Sequence, residues 1–289
     1  MRTTTVAEAL DEGAALLREA RPRTPRLDAE VLLAHVLGST RTALYAAATR
    51  VLPEPVVQEY RVLLENRRRG VPVAYLVGWK EFYSRRFWVS PAVLIPRPES
   101  EVLMEEGLRS LARDGLTRAR ILDLCTGSGA LGITLALECP SASVVCTDID
   151  YDAVAQAAEN VRLHHVESRV ELRRGDLFEA LAPGEKFDLI LCNPPYVGTD
   201  LGPRPEEAVA RNEPAVALYA GRDGLDVIRR LVAEAPGYLV ERGTLITELA
   251  PFQSERVEAW MIQRGLRKTR LLPDLAGLPR AVAGVWEER

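Results

Sequence analysis

From Arg118 to Glu287 the chain alternates short apolar runs of strand length with longer helical periodicities. "RILDLC" (120–125), "SVVCTDI" (143–149), "RVELRRGDLF" (169–178) and "FDLILCNPPY" (187–196) read as four strands. "GALGITLALE" and "YDAVAQAAENVRLH" read as helices between them. After a long loop come a helix in "GLDVIRRLVAEAPGYL", a strand in "GTLITEL", a helix in "SERVEAWMIQRG" and two strands, "LRKTRLL" and "RAVAGVWE". A parallel strand pair needs a crossover, and the crossover is a helix, so this rhythm predicts an α/β fold: a mostly parallel, Rossmann-like sheet of seven strands with helices on both faces.

The first 70 residues have a different rhythm. Ala7, Leu10, Ala14, Leu17 and Ala20 recur at helical spacing, "LDAEVLLAHVLG" follows with Asp28 as N-cap and Gly38 as stop, and "EPVVQEYRVLLENRRRG" closes at Gly70. "VPVAYLVGWKEFYSRRFWVSPAVLIPRPESE" is dense in aromatic and β-branched residues and reads as a hairpin connector, after which Ser100 caps a helix to about Leu111. The boundaries expected are a helical domain over 1–75, a β-hairpin linker over 76–97 and a Rossmann-like domain over 98–289.

Composition excludes several classes. With 47% hydrophobic and 27% charged residues the chain has an ordinary globular balance. It lacks the apolar run of about 20 residues that a spanning helix needs. Glu8, Asp11, Glu12 and Glu19 argue against a signal or transit peptide, so a cytoplasmic protein with no membrane partner is expected. The four cysteines and three histidines complete no metal pattern, and free thiols in a reducing compartment are expected. Residues 1–90 carry a net +4 and the remainder −8, an asymmetry that includes Arg67-Arg68-Arg69. Such a run is either a solvated face or a contact for an acidic partner, and it is too small for tight nucleic-acid binding.

Asp123-Leu124-Cys125-Thr126-Gly127-Ser128-Gly129 joins the first predicted strand to its helix. Glycine permits close backbone approach, and the helix N-terminus offers free N–H groups. Asp148 ends the next strand, 21 residues after Gly127, where a carboxylate can accept from both hydroxyls of a ribose. The cofactor class is therefore a nucleoside, either a dinucleotide or S-adenosylmethionine. Asp123 favours the second: a carboxylate there suits the methionyl amino group and would repel a pyrophosphate. Asp176-Leu177, ending the third predicted strand, falls where an adenine amine and ring face would lie.

Asn193-Pro194-Pro195-Tyr196 ends the fourth strand. In a sheet of order 3-2-1-4-5, strands 1 and 4 part at the switch point where ligands bind, so the glycine turn and this stop meet. The chemistry suggested is methylation of a planar, weakly nucleophilic nitrogen. The Asn193 side-chain oxygen and the Pro194 carbonyl can accept its two N–H bonds and polarise it. The two prolines stiffen the backbone, and Tyr196 offers an aromatic wall.

These motifs together resemble the release-factor glutamine methyltransferases. The resemblance runs through "DAEVLLAHVLG", "RRRGVPVAYLVGWKEFYSRRFWVSPAVLIPRPESE", "ILDLCTGSGALGI", "NPPYV", "NEPAVALYAGRDGLDVIRRL" and "DLAGLPRAVAG". It implies a class I S-adenosylmethionine-dependent methyltransferase with a helical substrate-recognition domain and a hairpin linker. The implied reaction puts a methyl group on the glutamine of the Gly-Gly-Gln motif of class I peptide chain release factors, leaving S-adenosylhomocysteine. It also implies cofactor contacts at Cys125, Thr126, Gly127, Ser128, Gly129, Asp148, Leu177 and Asn193 and a substrate clamp at Asn193, Pro194, Pro195 and Tyr196; apart from the resemblance, a monomer is expected. Three departures stand out: Cys125 where the family usually has Gly, Leu177 where some members have Trp, and "NEP" in place of Phe-Glu-Pro. The related enzymes of a large-subunit ribosomal protein also favour Cys in the turn and are the second choice. An adenine-amine methyltransferase acting on a flipped base is the third, and an inactive adaptor is the reading without catalysis.

Overall fold

The computed structural model describes residues 4–19, 22, 24–113, 115 and 118–287. It forms two compact units, one of the chain up to Trp79 with Glu207–Asn212, the other of Lys80–Glu206 with the chain from Glu213 onward.

The first unit is helical: α1 (Val6–Glu19), α2 (Pro25–Val36), α3 (Arg41–Ala46), α4 (Glu54–Arg68) and α5 (Val73–Val77). Leu10, Ala14 and Leu17 of the expected stripe are buried against Leu32, Leu33 and Tyr60; Ala7 is half-buried, and Ala20 lies outside the described residues. Gly38 and Gly70 follow the ends of α2 and α4 with φ of 56° and 99°, as helix stops require. Asp28 is not the cap of α2. The helix opens at Pro25, whose locked φ suits a first helical position, with Thr24 before it. Asp28, one turn further in, is buried and accepts from Arg67 Nε at 2.7 Å. Arg68 and Arg69 pair with Glu65 at 2.7 and 3.0 Å, so the arginine run is met by carboxylates of its own unit.

The hairpin is present as β1 (Trp79–Phe82) and β2 (Arg85–Trp88), turned by Tyr83 and Ser84 at φ 49° and 59°, the positive values a two-residue hairpin turn favours. A 3₁₀ turn over Pro98–Ser100 leads directly into α6 (Glu101–Arg113). Ser100 therefore lies inside the helical path rather than capping it, and its hydroxyl is used elsewhere.

The second unit carries β3 (Arg120–Leu124), α7 (Ala130–Glu138), β4 (Ser143–Asp148), α8 (Tyr151–Leu163), β5 (Val170–Arg174) and β6 (Phe187–Cys192). After α9 (Glu207–Asn212), which belongs to the first unit, come α10 (Asp226–Glu234), β7 (Leu239–Glu248), α11 (Ser254–Gln263), β8 (Leu266–Pro273) and β9 (Pro279–Trp286). The sheet order is β5-β4-β3-β6-β7-β9-β8, and β9 runs antiparallel to both its neighbours. The strand expected over 169–178 stops at Arg174: the chain bends at Gly175, where a Cβ would meet Ala180 at 2.7 Å, and Leu177, at a positive φ of 49°, opens a 3₁₀ turn. Leu103, Met104 and Ile133 cover one face, with Phe82 and Phe87 of the hairpin; Ile228, Leu231, Val257 and Met261 cover the other. Burial on both faces explains why the strands read as unbroken apolar runs. Among the described residues no helix is long and apolar enough to cross a membrane.

Candidate active site

β3 pairs in parallel with β4 on one side and β6 on the other, with Leu124 level with both Thr147 and Cys192. Cys125, Asp148 and Asn193 therefore leave three adjacent strands at one height. A cavity of about 240 Å³ opens there.

The glycine turn forms its wall. Cys125, Gly127 and Gly129 all have positive φ, at 57°, 55° and 80°. For the glycines this costs little; for Cys125 it is the conformation that explains why glycine would be usual there. Asp123 holds the turn from below: its Oδ2 accepts from Thr126 Oγ1 at 2.6 Å and from Gly132 N at 2.9 Å. It is fully buried and does not line the cavity, and its Oδ1 has no hydrogen-bond partner among the described residues. Burial pushes its pKa up to about 7, against the pull of Thr126 and Gly132. Asn160, also buried, donates to Ser128 O at 2.8 Å and exchanges two hydrogen bonds with the backbone of Trp88, at 2.7 and 2.9 Å. The hairpin and the glycine turn thus share one anchor.

Asp148 stands on the cavity wall. One oxygen accepts from Gly127 N at 2.9 Å and the other from Asp150 N at 3.0 Å. A carboxylate has about four acceptor positions, so each oxygen keeps one for a hydroxyl donor, as two neighbouring ribose hydroxyls require. Burial raises its pKa while the two amides oppose that rise. Capping of α8 falls to Asp150, which accepts from Asp152 N at 2.7 Å. Asp176 also reaches the cavity, with one oxygen accepting from Arg230 Nη1 at 2.8 Å, and Leu177 lies beside it, buried.

On the far side Asn193 and Pro195 line the cavity, whereas Gly129, Pro194 and Tyr196 do not. The Asn193 Nδ2 donates to Ser100 Oγ at 3.2 Å, and Ser100 Oγ donates to Glu248 Oε2 at 2.6 Å. Tyr196 OH donates to the other oxygen, Glu248 Oε1, at 3.0 Å. Glu248 ends β7 and is 1% exposed. Burial raises its pKa; the Ser100 and Tyr196 hydroxyls and Arg280 pull it back. The charge of Glu248 in turn lifts the Tyr196 phenol, keeping it protonated. Gln253 Nε2 fixes the Tyr196 carbonyl at 3.0 Å, and Gly224 at φ 74° passes so close that a Cβ would sit 2.2 Å from that same oxygen.

Sequence reasoning missed Ser100, Glu248 and Glu213. Buried Glu213 accepts from Ile95 N at 3.2 Å and pairs with Arg97, fixing the segment that brings Val93, Leu94 and Pro96 to the cavity. A signal for two of them was present: "LIPRPESE" and "NEP" were singled out as segments, without their side chains being connected to the site. Glu248 ends "LITE" with no local motif.

Residues 8–78 match the PrmC N-terminal domain family, and residues 100–202 match the methyltransferase small domain family. A release factor glutamine methyltransferase of Xylella fastidiosa (strain 9a5c) is 40% identical over 271 residues, covering 93% of this chain and 96% of that protein. A ribosomal protein uL3 glutamine methyltransferase of Bordetella pertussis is 45% identical over 204 residues, covering 69% of this chain and 66% of that protein. The solved T. thermophilus 16S rRNA N2 G1207 methyltransferase, in complex with AdoMet and guanosine, matches with a TM-score of 0.54 at 21% identity, covering 72% of this chain and 50% of that one. The likeness to that structure is one of fold, and the fold is that of the class I methyltransferases, as the strand rhythm and the resemblance implied.

Proposed function

The chain belongs to the release factor glutamine methyltransferases, and from that premise we propose how its residues carry a methyl group from S-adenosylmethionine to the side-chain amide nitrogen of the Gly-Gly-Gln glutamine in class I release factors. The cofactor supplies an electrophilic methyl on a sulfonium. The turn from Cys125 to Ser128 would cradle it, Asp148 would accept from its ribose, and Asp176 and Leu177 would border its adenine. Asp123 acts from beneath by holding Thr126 and Gly132 in place.

The amide nitrogen of glutamine shares its lone pair with the carbonyl and is a weak nucleophile. The Asn193 Oδ1 and the Pro194 carbonyl accept its two N–H bonds, raise electron density on nitrogen and orient it, an electrostatic arrangement in place before reaction. Holding nitrogen at near-attack distance removes orientational entropy from the barrier. The Tyr196 ring, tethered through its hydroxyl, bounds the planar group.

The observation that carries the reading is the Asn193 carboxamide at the cavity edge with its NH₂ already committed to Ser100, leaving the oxygen as acceptor. Incubation with labelled S-adenosylmethionine and purified release factors, followed by mass spectrometry of the Gly-Gly-Gln peptide, is expected to show one added methyl on glutamine. Label appearing on uL3 instead, as the Bordetella relative's name suggests, would move the assignment to that ribosomal protein. The helical unit is assigned to holding the release factor. Deleting residues 1–79 is expected to leave cofactor affinity within a few-fold and abolish protein methylation; undiminished methylation would remove that role.

A further inference from the structure

The hydrogen bonds beneath Asn193 run in one direction. Glu248 Oε2 accepts, so the Ser100 hydroxyl is spent as a donor at 2.6 Å. A serine hydroxyl has one proton, so toward Asn193 Ser100 offers only lone pairs. Only the NH₂ end of the carboxamide satisfies that, and it does so at 3.2 Å. The second oxygen of Glu248 is held by Tyr196, which stops the carboxylate from turning away. Ser100 and Glu248 are 3% and 1% exposed, so water cannot easily replace either contact.

We propose that Ser100 is a positioning residue for methyl transfer: its hydroxyl, committed to Glu248, fixes which end of the Asn193 carboxamide faces the cavity. This rests on the reading of Asn193 as the acceptor for the substrate NH₂. With the carboxamide reversed, the site would turn an N–H toward an N–H, losing an acceptor and gaining a repulsion. The same polarity selects an amide over a carboxylate, because glutamate has no N–H to give to the Asn193 oxygen. The relay therefore sets orientation and side-chain selectivity together, without Ser100 touching the reacting atoms.

The test is a double-mutant cycle on the full chain, read by single-turnover methylation of a release factor, S-adenosylmethionine affinity and thermal midpoint. Ser100→Ala is expected to lower turnover about 10–100-fold, the scale of a misplaced reacting group, with cofactor Kd within about threefold. Ser100→Thr, which keeps a hydroxyl, is expected to stay near wild type. In the Asn193→Ala background Ser100→Ala is expected to lower turnover no further, whereas a merely structural serine would add its own loss. Should Ser100→Ala fail to fold, Ser100→Cys, close in size and a poor hydrogen-bond partner, takes its place. Wild-type turnover in Ser100→Ala with Asn193→Ala inactive, or multiplicative losses in the double variant, overturns the relay alone. Wild-type turnover in Asn193→Ala overturns the acceptor reading beneath it.

Discussion

At the ends of β3 and β4 the cavity wall is mainly backbone, held by carboxylates mostly close in sequence: Asp123 binds Thr126 and Gly132, and Asp148 binds Asp150 and, 21 residues back, Gly127. At the ends of β6 and β7 it is built from side chains drawn from afar. Ser100 meets Asn193 across 93 residues, and Tyr196 meets Glu248 across 52. The first wall presents fixed amides and one acceptor, suited to gripping a ligand in the same way before and after reaction. The second presents an oriented acceptor, suited to a group whose charge changes during reaction. Binding and catalysis should therefore separate on mutation.

The largest expected effect lies on the second wall. Asn193→Ala should lower turnover about 10²–10³-fold, the usual cost of one such hydrogen-bond partner, while S-adenosylmethionine affinity stays within an order of magnitude. On the first wall Asp148→Ala should do the reverse. Charged hydrogen bonds are worth about 1.5–3 kcal/mol, so cofactor Kd should rise about 10–100-fold with turnover at saturating cofactor nearly unchanged. Isothermal titration alongside single-turnover kinetics checks both, and equal losses in both quantities for either variant would break the comparison.

A smaller effect concerns pH. The folded pKa of Asp123, about 7, lies above its unfolded value, so the folded state binds that proton more tightly. Its contribution to stability is then full below about pH 4 and is lost as pH rises toward about 7. Glu65, beside Arg68 and Arg69, and Glu185, beside Arg173, are both lowered to about 2 and act oppositely, losing their contribution as pH falls below about 4. Thermal midpoints measured between pH 4.5 and 7.5, a window Asp123 shares with Asp148 and Glu248, whose carboxyls burial also raises, should decline less steeply in Asp123→Asn than in wild type, and the difference between the two slopes reports Asp123. An unchanged slope would place the titrating group elsewhere.

The smallest expected effect sharpens the reading of the turn. Cys125 sits at φ 57°, where a side chain costs about 1–2 kcal/mol. Cys125→Gly relieves that but adds about 0.5–1 kcal/mol of chain entropy, so a net gain of up to about 1.5 kcal/mol is expected in denaturant melts. A loss would mean that the thiol, packed against the core beside Cys192, contributes more than its strain removes.

Much of the site was legible before the fold was known, and for a common reason. The glycine turn, Asp148 and the Asn193 stop each announce themselves within a few residues, and the strand rhythm places all three at the carboxyl end of the sheet. Asp123 was readable as important but not as buried, because depth below a turn depends on what covers it; here Gly132 and Thr126 do. The early end of β5 at Arg174 had only Gly175 to signal it, and the positive φ of Leu177 had no signal, since a leucine gives no warning of one. Asp28 looked like a cap because caps are its commonest use near a helix start, whereas Arg67, 39 residues away, claims it.

The alternation of strands and helices, and with it the switch point where Cys125, Asp148 and Asn193 converge, is written in the local sequence. Periodicity and turn chemistry are local, and a local signal survives without the rest of the chain. That Ser100 and Glu248 stand behind Asn193, with Ser100 taking a hydrogen bond from its NH₂, came from the assembled fold alone. A donor has no direction until its acceptor is in place, and here the acceptor comes from a strand that folding alone brings within reach.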